Sequence, residues 1–469
     1  MASRRTALLL SATRIYPRGI ILDPVDPDPE EPVNPAVELP TPLRIVTISG
    51  DAQLGQYLAG SYMGGQTPGD QVRLANVNYT TARTFTVNGT QANPIVFMAT
   101  TVLGAKVLGD IMWSVNGTDI YMHGIEFNGS QLRSTVSRIS ILRCKFHNCE
   151  RSAIVFEGPQ KGSRIGYCQI TTKPYVFGVT PAPGKANRRG VDVLMENDAD
   201  APKEVYIFRT HFHDFGMKPL SDYDSGQNTC LRTAETSNDA NISSKWVTEW
   251  CLFTNVNCST PTADGLGIKD RVGTFEPKSS DNTFQYNTIL NCPGLVQNRQ
   301  GFGGRYISNW FENSGGLVFY SGEAGNSRGD PALPDYHLAL GNFFRNCVAG
   351  LRIMAGQEAT WTGTADKQTA SVGSMLIGND SNLYDIGEDY GDSGRFPARN
   401  TRIEACRKGT GATFGSGTLV TSTAQVTLDN QTGTTVSGTN TTGIAMPTQA
   451  PVKLTTAQVG PNAPWVEEA

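Results

Sequence analysis

The chain contains no Cys-x-x-Cys pair, so a zinc ribbon is excluded. No apolar run approaches the roughly 18 residues of a membrane span. Charge is scarce, at 17% of residues, and the net charge of −4 leaves no basic footprint for nucleic acid. That modest negative balance still allows an acidic polysaccharide as partner, because local Lys and Arg clusters can bind one. Long stretches of helical periodicity are almost missing as well, which argues against an α-rich fold. The start, "MASRRTALLLSATRIYPRG", imitates a secretory signal, but its apolar core falls short of the roughly 7 residues such a segment needs, and Arg14 follows closely. The expectation is a protein without a convincing signal peptide, extracellular or virion-associated.

Cysteine is present but odd in number: nine residues, scattered from Cys144 to Cys406. Several recur at one place in a repeated phrase, which suits small apolar core residues stacked one above another better than a disulfide framework. Gly is abundant, with 50 residues in a chain of 469. That length suggests two or three domains unless the chain is a repeat that grows along one axis.

The repeat is what the sequence has in plenty. "ISILRCKFHNCE" from Ile139 returns in outline as "VYIFRTHFHDF" from Val205, "WVTEWCLFTNV" from Trp246, "NTFQYNTILNC" from Asn282 and "HLALGNFFRNC" from His337. Alignment on the large apolar anchor puts Phe127, Phe146, Ile170, Phe212, Phe253, Ile289, Phe311 and Phe344 in equivalent places, with gaps of 19 to 42 residues. The shortest gaps are close to the approximately 20–25 residues of one solenoid coil; longer ones hold a coil plus an insertion, or two coils. One coil of short strands cannot bury its own apolar face, whereas stacked coils bury a continuous column. Alternation sets Ile139 and Ile141 on one face, with Ser140 and Leu142 on the other. Asn148, Asn255, Asn291 and Asn346 fall at bends, where Asn tolerates left-handed backbone and forms side-chain ladders. The expected fold is all-β, a right-handed parallel β-helix. A sandwich or propeller would need more regular hairpin or blade spacing.

Around this solenoid the composition shifts twice. Residues 1–42 include "DPVDPDPEEPVNPAVELPTP", an acidic Pro-rich spacer unable to build a core. They read as an extended arm that attaches the protein to a larger assembly. The β-helix is expected over residues 43–407. Residues 408–469, rich in Thr, Gly and Val, read as a final β segment and tail that covers the open end or makes an oligomer contact.

The order of phrases resembles the polysaccharide lyases of the chondroitinase B and alginate lyase family, which are β-helices. "GDQVRLANVNYT" from Gly69, "NPIVFMATTVLGAKVLG" from Asn93, "IYMHGIEFNG" from Ile120 and "SSDNTFQYNTILNCPGLVQNRQG" from Ser279 carry the resemblance, over roughly residues 43–350. It implies β-elimination on a uronate polymer: a base removes the proton on C5, and a cation or metal neutralises the adjacent carboxylate. It further implies a Lys base, a nearby Arg, and calcium on acidic and Asn ligands.

Carried onto this chain, "DGLGIKD" supplies Asp264 as the acidic position and Lys269 as the base, before an apparent insertion, "DRVGTFEP". Lys278 in "KSSDNTF" is the second candidate base. Arg299 matches the family's Arg, and Gln300 stands where the family has His; Gln cannot transfer a proton near neutral pH. Asp264 and Asn228 are the candidate calcium ligands. Tyr320 and Glu323, after "NSGGLVF", are placed to line a sugar groove with Gln300.

Other constellations remain open. Asp222 with Asp224, and Asp385, Glu388, Asp389 and Asp392, offer carboxylate pairs of the kind that hydrolyse glycosides. Trp246, Trp250, Trp310 and Trp361 offer rings for sugars. His211 and His213 alternate on one strand and read as stacked or surface groups. The overlapping alternative to a free lyase is a virion tailspike that recognises host surface polysaccharide, a homo-oligomer and in that case a trimer.

Overall fold

The computed structural model describes residues 39–135, 138–158, 161–173, 188–194, 203–215, 229–233, 243–256, 272–277, 279–298, 303–321, 337–348, 350–355, 375–377, 380–381, 384–388, 401–404, 407–408, 426–428 and 450–464. The short Val/Ile/Phe-rich runs are strands, and each coil contributes one strand in turn to three sheets. Among the described residues, sheet A has 14 strands, sheet B 12 and sheet C 11. Every pairing within them is parallel, and each strand pairs with its counterparts in neighbouring coils. This is a parallel β-helix, as the repeated phrase predicts.

The anchors form a single rung-by-rung column on sheet B. Phe127 pairs with Phe146, Phe146 with Ile170, Ile170 with Phe212, and Phe212 with Phe253. The column continues from Phe253 through Ile289 and Phe311 to Phe344. All eight are buried. Parallel strands lie about 4.8 Å apart, a spacing that stacks aromatic rings: Phe127 on Phe146 at 4.6 Å and Phe311 on Phe344 at 4.5 Å between centroids. Ile139 and Ile141 point into this core, while Leu142 joins an outer cluster.

The bend from sheet A to sheet B takes two residues. The first adopts a left-handed backbone: φ is 53° at Arg143, 47° at Arg209, 52° at Trp250 and 56° at Tyr286. The second points inward and is Cys144, Cys168, Thr210, Cys251, Asn287, Asn309 or Asn342, two residues ahead of the anchor in each case. Seven cysteines lie among the described residues, and all are buried thiols without a disulfide. Burial pushes Cys149 up to about 12, so these are inert core groups. After sheet B, Asn148, Asn255, Asn291 and Asn346 have φ between 52° and 54°. Their side chains form outer ladders, such as Asn346 Nδ2 to Asn313 Oδ1 at 3.2 Å.

The helix Asp51–Leu58 lies beside the first coils and buries Leu54 and Tyr57. The Tyr57 hydroxyl donates to Asp70 at 2.6 Å, and Arg44 Nε donates to the same carboxylate at 2.7 Å. At the other end, parallel pairing continues past residue 408 to the strand Val426–Leu428. Residues 450–464 then return along the outside of the A–B bend. The Thr288 hydroxyl donates to the Val452 carbonyl at 2.7 Å, the Gly460 amide donates to the Arg209 carbonyl at 2.9 Å, and Arg143 donates to the Pro461 carbonyl. Leu454 and Val459 cover Leu252, and Ala463 covers Leu142, Tyr167 and Phe208. Residues 1–38 lie outside the described residues. No helix among the described residues is long and apolar enough to cross a membrane.

Candidate active site

Three strands of sheet C lie next in sequence to several of the candidate residues. Val272–Glu276 pairs with Leu295–Asn298, which pairs with Leu317–Ser321. The strand that precedes "KSSDNTF" is therefore "VGTFE". The stretch read from sequence as an insertion is itself a rung of the solenoid, because Phe275 fills the core column between Leu231 and Val296. Lys278 follows this strand by two residues, and Arg299 follows the next by one. Lys278, Lys269, Arg299, Gln300, Glu323, Asp264 and Asn228 all lie outside the described residues, as do Asp222, Asp224, Asp389, Asp392 and Trp361. Tyr320 is paired with Met354 on sheet C, and Asp385 with Arg352.

The described part of the face is a column of polar side chains. Val191 and Val193 point into the core, so Asp192 points out. Val191 pairs with Leu231, which sets Asp192 beside Arg232; Arg232 in turn pairs with Glu276. Phe275 pairs with Val296, which sets Glu276 beside Gln297. Three rung spacings make this column about 14 Å long. It is closed from water: Asp192 is 4% exposed, Arg232 6%, and Glu276 and Gln297 0%.

Asp192 is fully engaged. Arg189 Nη1 and Ser152 Oγ donate to its Oδ2, each at 2.9 Å. Arg232 Nε donates to Oδ1 at 2.7 Å, and the Val193 amide at 2.9 Å. Burial alone would raise the Asp192 pKa, but the two guanidiniums outweigh it and hold the carboxyl below its usual range. Arg232 is lowered as well: burial and the neighbouring Arg189 push it down, while Asp192 and Glu276 pull it back up. The result is an Arg–Asp–Arg cluster with one guanidinium in excess of carboxylate, next to Glu276.

This donor set does not fit calcium. A calcium ion needs six to eight oxygen ligands, and both Asp192 oxygens are taken by guanidinium, hydroxyl and amide donors. No group of three or more His, Cys, Asp or Glu residues among the described residues is placed to hold a metal.

Sequence reasoning missed Asp192, Arg232, Glu276 and Gln297. The available signal was polar residues at alternate places in otherwise apolar runs, "VDVL", "CLRT", "GTFEP" and "LVQN". The other singled-out residues fall elsewhere. Trp246 is core, packed edge-on at 6.0 Å against Phe156. Trp250 stacks on Tyr286 at 4.9 Å beneath residues 450–464, and Trp310 packs tilted by 37° against Phe343 at 4.3 Å on sheet B. His211 and His213 stack at 4.5 Å on the outside of sheet B, bonded to Thr254 and Gln169.

No family model and no curated protein sequence matches the chain. Solved structures do match in fold. A family 6 polysaccharide lyase from Pseudopedobacter saltans superimposes with a TM-score of 0.57 at 12% identity, over 90% of this chain and 99% of the other. A mannuronic acid specific family 6 polysaccharide lyase from human gut microbiota gives 0.52 at 16% identity, over 78% and 80%. An alginate lyase solved in complex with G6 gives 0.53 at 16% identity, over 78% and 79%. The likeness is one of fold: along most of its length, this chain is a parallel β-helix of the kind these lyases have.

Proposed function

We propose that the protein is a polysaccharide lyase that cleaves an acidic, uronate-containing polymer by β-elimination on the face of sheet C. The observation that carries this reading is the adjacency of Val272–Glu276 and Leu295–Asn298 in a fold shared with family 6 lyases. That adjacency supports Lys278, rather than Lys269, as the base, with Arg299 one coil on. Two cations near one sugar carboxylate neutralise it as charge develops. A second cation near a Lys lowers its proton affinity, as a base requires. The chain's own cationic side chains supply the positive charge in this reading. The leaving oxygen receives no proton from Gln300, so water or the protonated Lys supplies it.

The test is product chemistry on alginate and other uronate polymers. Cleavage should give new ultraviolet absorbance from the unsaturated product. Lys278→Ala should lower the rate about 100-fold or more, with Lys269→Ala close to wild type and Arg299→Ala strongly impaired. Activity should survive a chelator; loss on chelation and recovery with calcium would return the role to Asp264 and Asn228. Reducing ends without a double bond would replace this reading with hydrolysis by the acidic loops.

Attachment through residues 1–42, a homo-oligomeric state and an extracellular or virion-associated place belong to the same proposal. Their support is the acidic Pro-rich composition of that segment. Deletion of residues 1–42 should leave a folded β-helix that no longer assembles.

A further inference from the structure

The bend from sheet B to sheet C carries an open cleft of about 410 Å³, within the roughly 300–1,000 Å³ usual for a small-ligand site. Two glycines cause it. The residue two places after the anchor takes a left-handed backbone and is Asn148, Asp214, Asn255, Asn291, Asn313 or Asn346 in later coils. In two successive earlier coils it is Gly109 and Gly129, with φ of 96° and 80°. Val107, two residues before Gly109, pairs with the anchor Phe127, so the register is the same. The two missing side chains leave a notch beside Asn148, whose Nδ2 donates to Asn128 Oδ1 at 2.9 Å. A Cβ on Gly109 would meet no atom within 4 Å, so this floor faces open space. The rim is charged but balanced: Arg151 lies 3.4 Å from Asp110, and Lys173 is paired with Glu150. These four side chains are 28% to 48% exposed, so a ligand in solution reaches them.

We propose that this cleft is a separate carbohydrate site, which takes a short neutral glycan segment through its vicinal hydroxyls. Each rim cation already faces a carboxylate, so a uronate would bring its charge against Asp110 and Glu150 with no cation in excess. An apolar ligand would meet one apolar side chain, Leu108. A metal ion would need a group of acidic, His or Cys ligands, and none of three or more is so placed among the described residues. Hydroxyls fit what remains, because each is both donor and acceptor. The carboxylates of Asp110 and Glu150 accept O–H donors, and bonds to a charged acceptor are the stronger kind. The amides of Asn128 and Asn148 supply both roles between them. The C–H face of a pyranose ring lies on the peptides of Gly109 and Gly129, which carry no side chain to hold it off. Four strand spacings on sheet C separate the coil of Gly129 from Val272–Glu276, roughly 19 Å along the axis. The cleft therefore holds a glycan away from the candidate catalytic strands, and it does not depend on the lyase reading.

The experiment is calorimetric titration of the full chain with cellohexaose, mannohexaose, maltohexaose and an alginate hexasaccharide. Wild type should bind at least one of the neutral hexaoses. Gly109→Asn restores the residue type that later coils carry at this place and fills the cleft, and circular dichroism checks that it folds. Asp110→Asn keeps the volume and removes the charged acceptor. Each variant should weaken neutral-hexaose binding about tenfold or more, the loss of one hydrogen bond to a charged group. If Gly109→Asn does not fold, Asp110→Asn decides the matter. Unchanged affinity in a folded Gly109→Asn protein, or in Asp110→Asn, overturns the proposal, as does a wild type that binds no neutral hexaose. Loss of alginate hexasaccharide binding in a folded Gly109→Asn protein would put a uronate in the cleft and overturn the neutral assignment. Cleavage is read separately: a wild type that forms no unsaturated product but binds a neutral hexaose, with that binding lost in Gly109→Asn, sinks the lyase reading and leaves this site standing.

Discussion

Asn309 Nδ2 donates to Asn342 Oδ1 at 2.9 Å, inside the solenoid where no water reaches either residue. The same Asn342 oxygen accepts the Asn309 backbone amide at 3.0 Å, and Asn309 Oδ1 repeats the pattern one coil back with Asn287. Each Asn thus satisfies a bend amide in the preceding coil that the strands leave unpaired. Asn309→Ala removes the acceptor for two donors of Asn287 and should cost about 2–4 kcal/mol, measured as a lower urea midpoint. Cys168→Ala, in the same column on the thiol side, should cost about 1 kcal/mol. Equal losses would mean the ladder contributes only packing.

The anchor column predicts a steeper penalty. Phe311 is buried between Ile289 and Phe344, one rung on either side. Phe311→Ala leaves a cavity that adjacent rungs cannot fill without losing register, and should cost about 3–5 kcal/mol. Phe343→Ala, on the outer face of the same strand as Phe344, should cost much less. Chemical denaturation of the two variants checks the pair.

The stacking was legible because it has a strict local cause. A residue such as Phe146 must recur one coil later for its coil to close, so the anchors appear in the sequence at every rung. The Asn287–Asn309–Asn342 column was legible in principle, always two residues before the anchor, but Cys and Thr occupy the same place in earlier coils and hide it. The site was harder to see. Val272–Glu276 passed for an insertion because its bulge breaks the alternation that marks a strand. Gln297 looks like any polar residue of a half-exposed strand, since its burial depends on what covers the face. The return of residues 450–464 to residues 141 to 318 positions earlier has no sequence period at all.

Acid should weaken the fold through two histidines. Burial, with help from Arg143, lowers His123 to about 4; burial and the stacked His213 lower His211 to about 4, against a pull from Asp214. Both are neutral in the folded protein and bind protons in the unfolded chain from about pH 6.5 downward. The unfolded state therefore takes up more protons between about pH 6.5 and pH 4, and stability falls as pH falls through that window. The upper bound is about 3 kcal/mol for each, reduced by solvent screening at half-buried His211. His123→Leu should flatten the acid limb of a plot of urea midpoint against pH. An unchanged limb in that variant would place the titration elsewhere.

Residues 450–464 should behave as a separable brace. They touch the stack through backbone bonds to Arg209 and Arg143, the Lys453–Glu312 ion pair at 2.6 Å, and apolar cover over Leu142, Tyr167, Phe208 and Leu252. None of these residues is in the core column, so a chain ending at residue 449 should keep its β-sheet circular dichroism. It should lose the gain from burying Leu454 and Val459, roughly 1.5–3 kcal/mol per side chain before the entropy of ordering the segment is subtracted. The net result is a melting temperature lower by a few degrees, with dye binding to the uncovered apolar strip. A synthetic peptide of residues 450–464 added in trans should reverse both changes by mass action. The contacts to sheet A lie away from the face of sheet C, so polymer cleavage at low temperature should be retained. If truncation instead unfolds the whole chain and the peptide cannot rescue it, the segment is integral to the solenoid and the brace does not exist as a separate element.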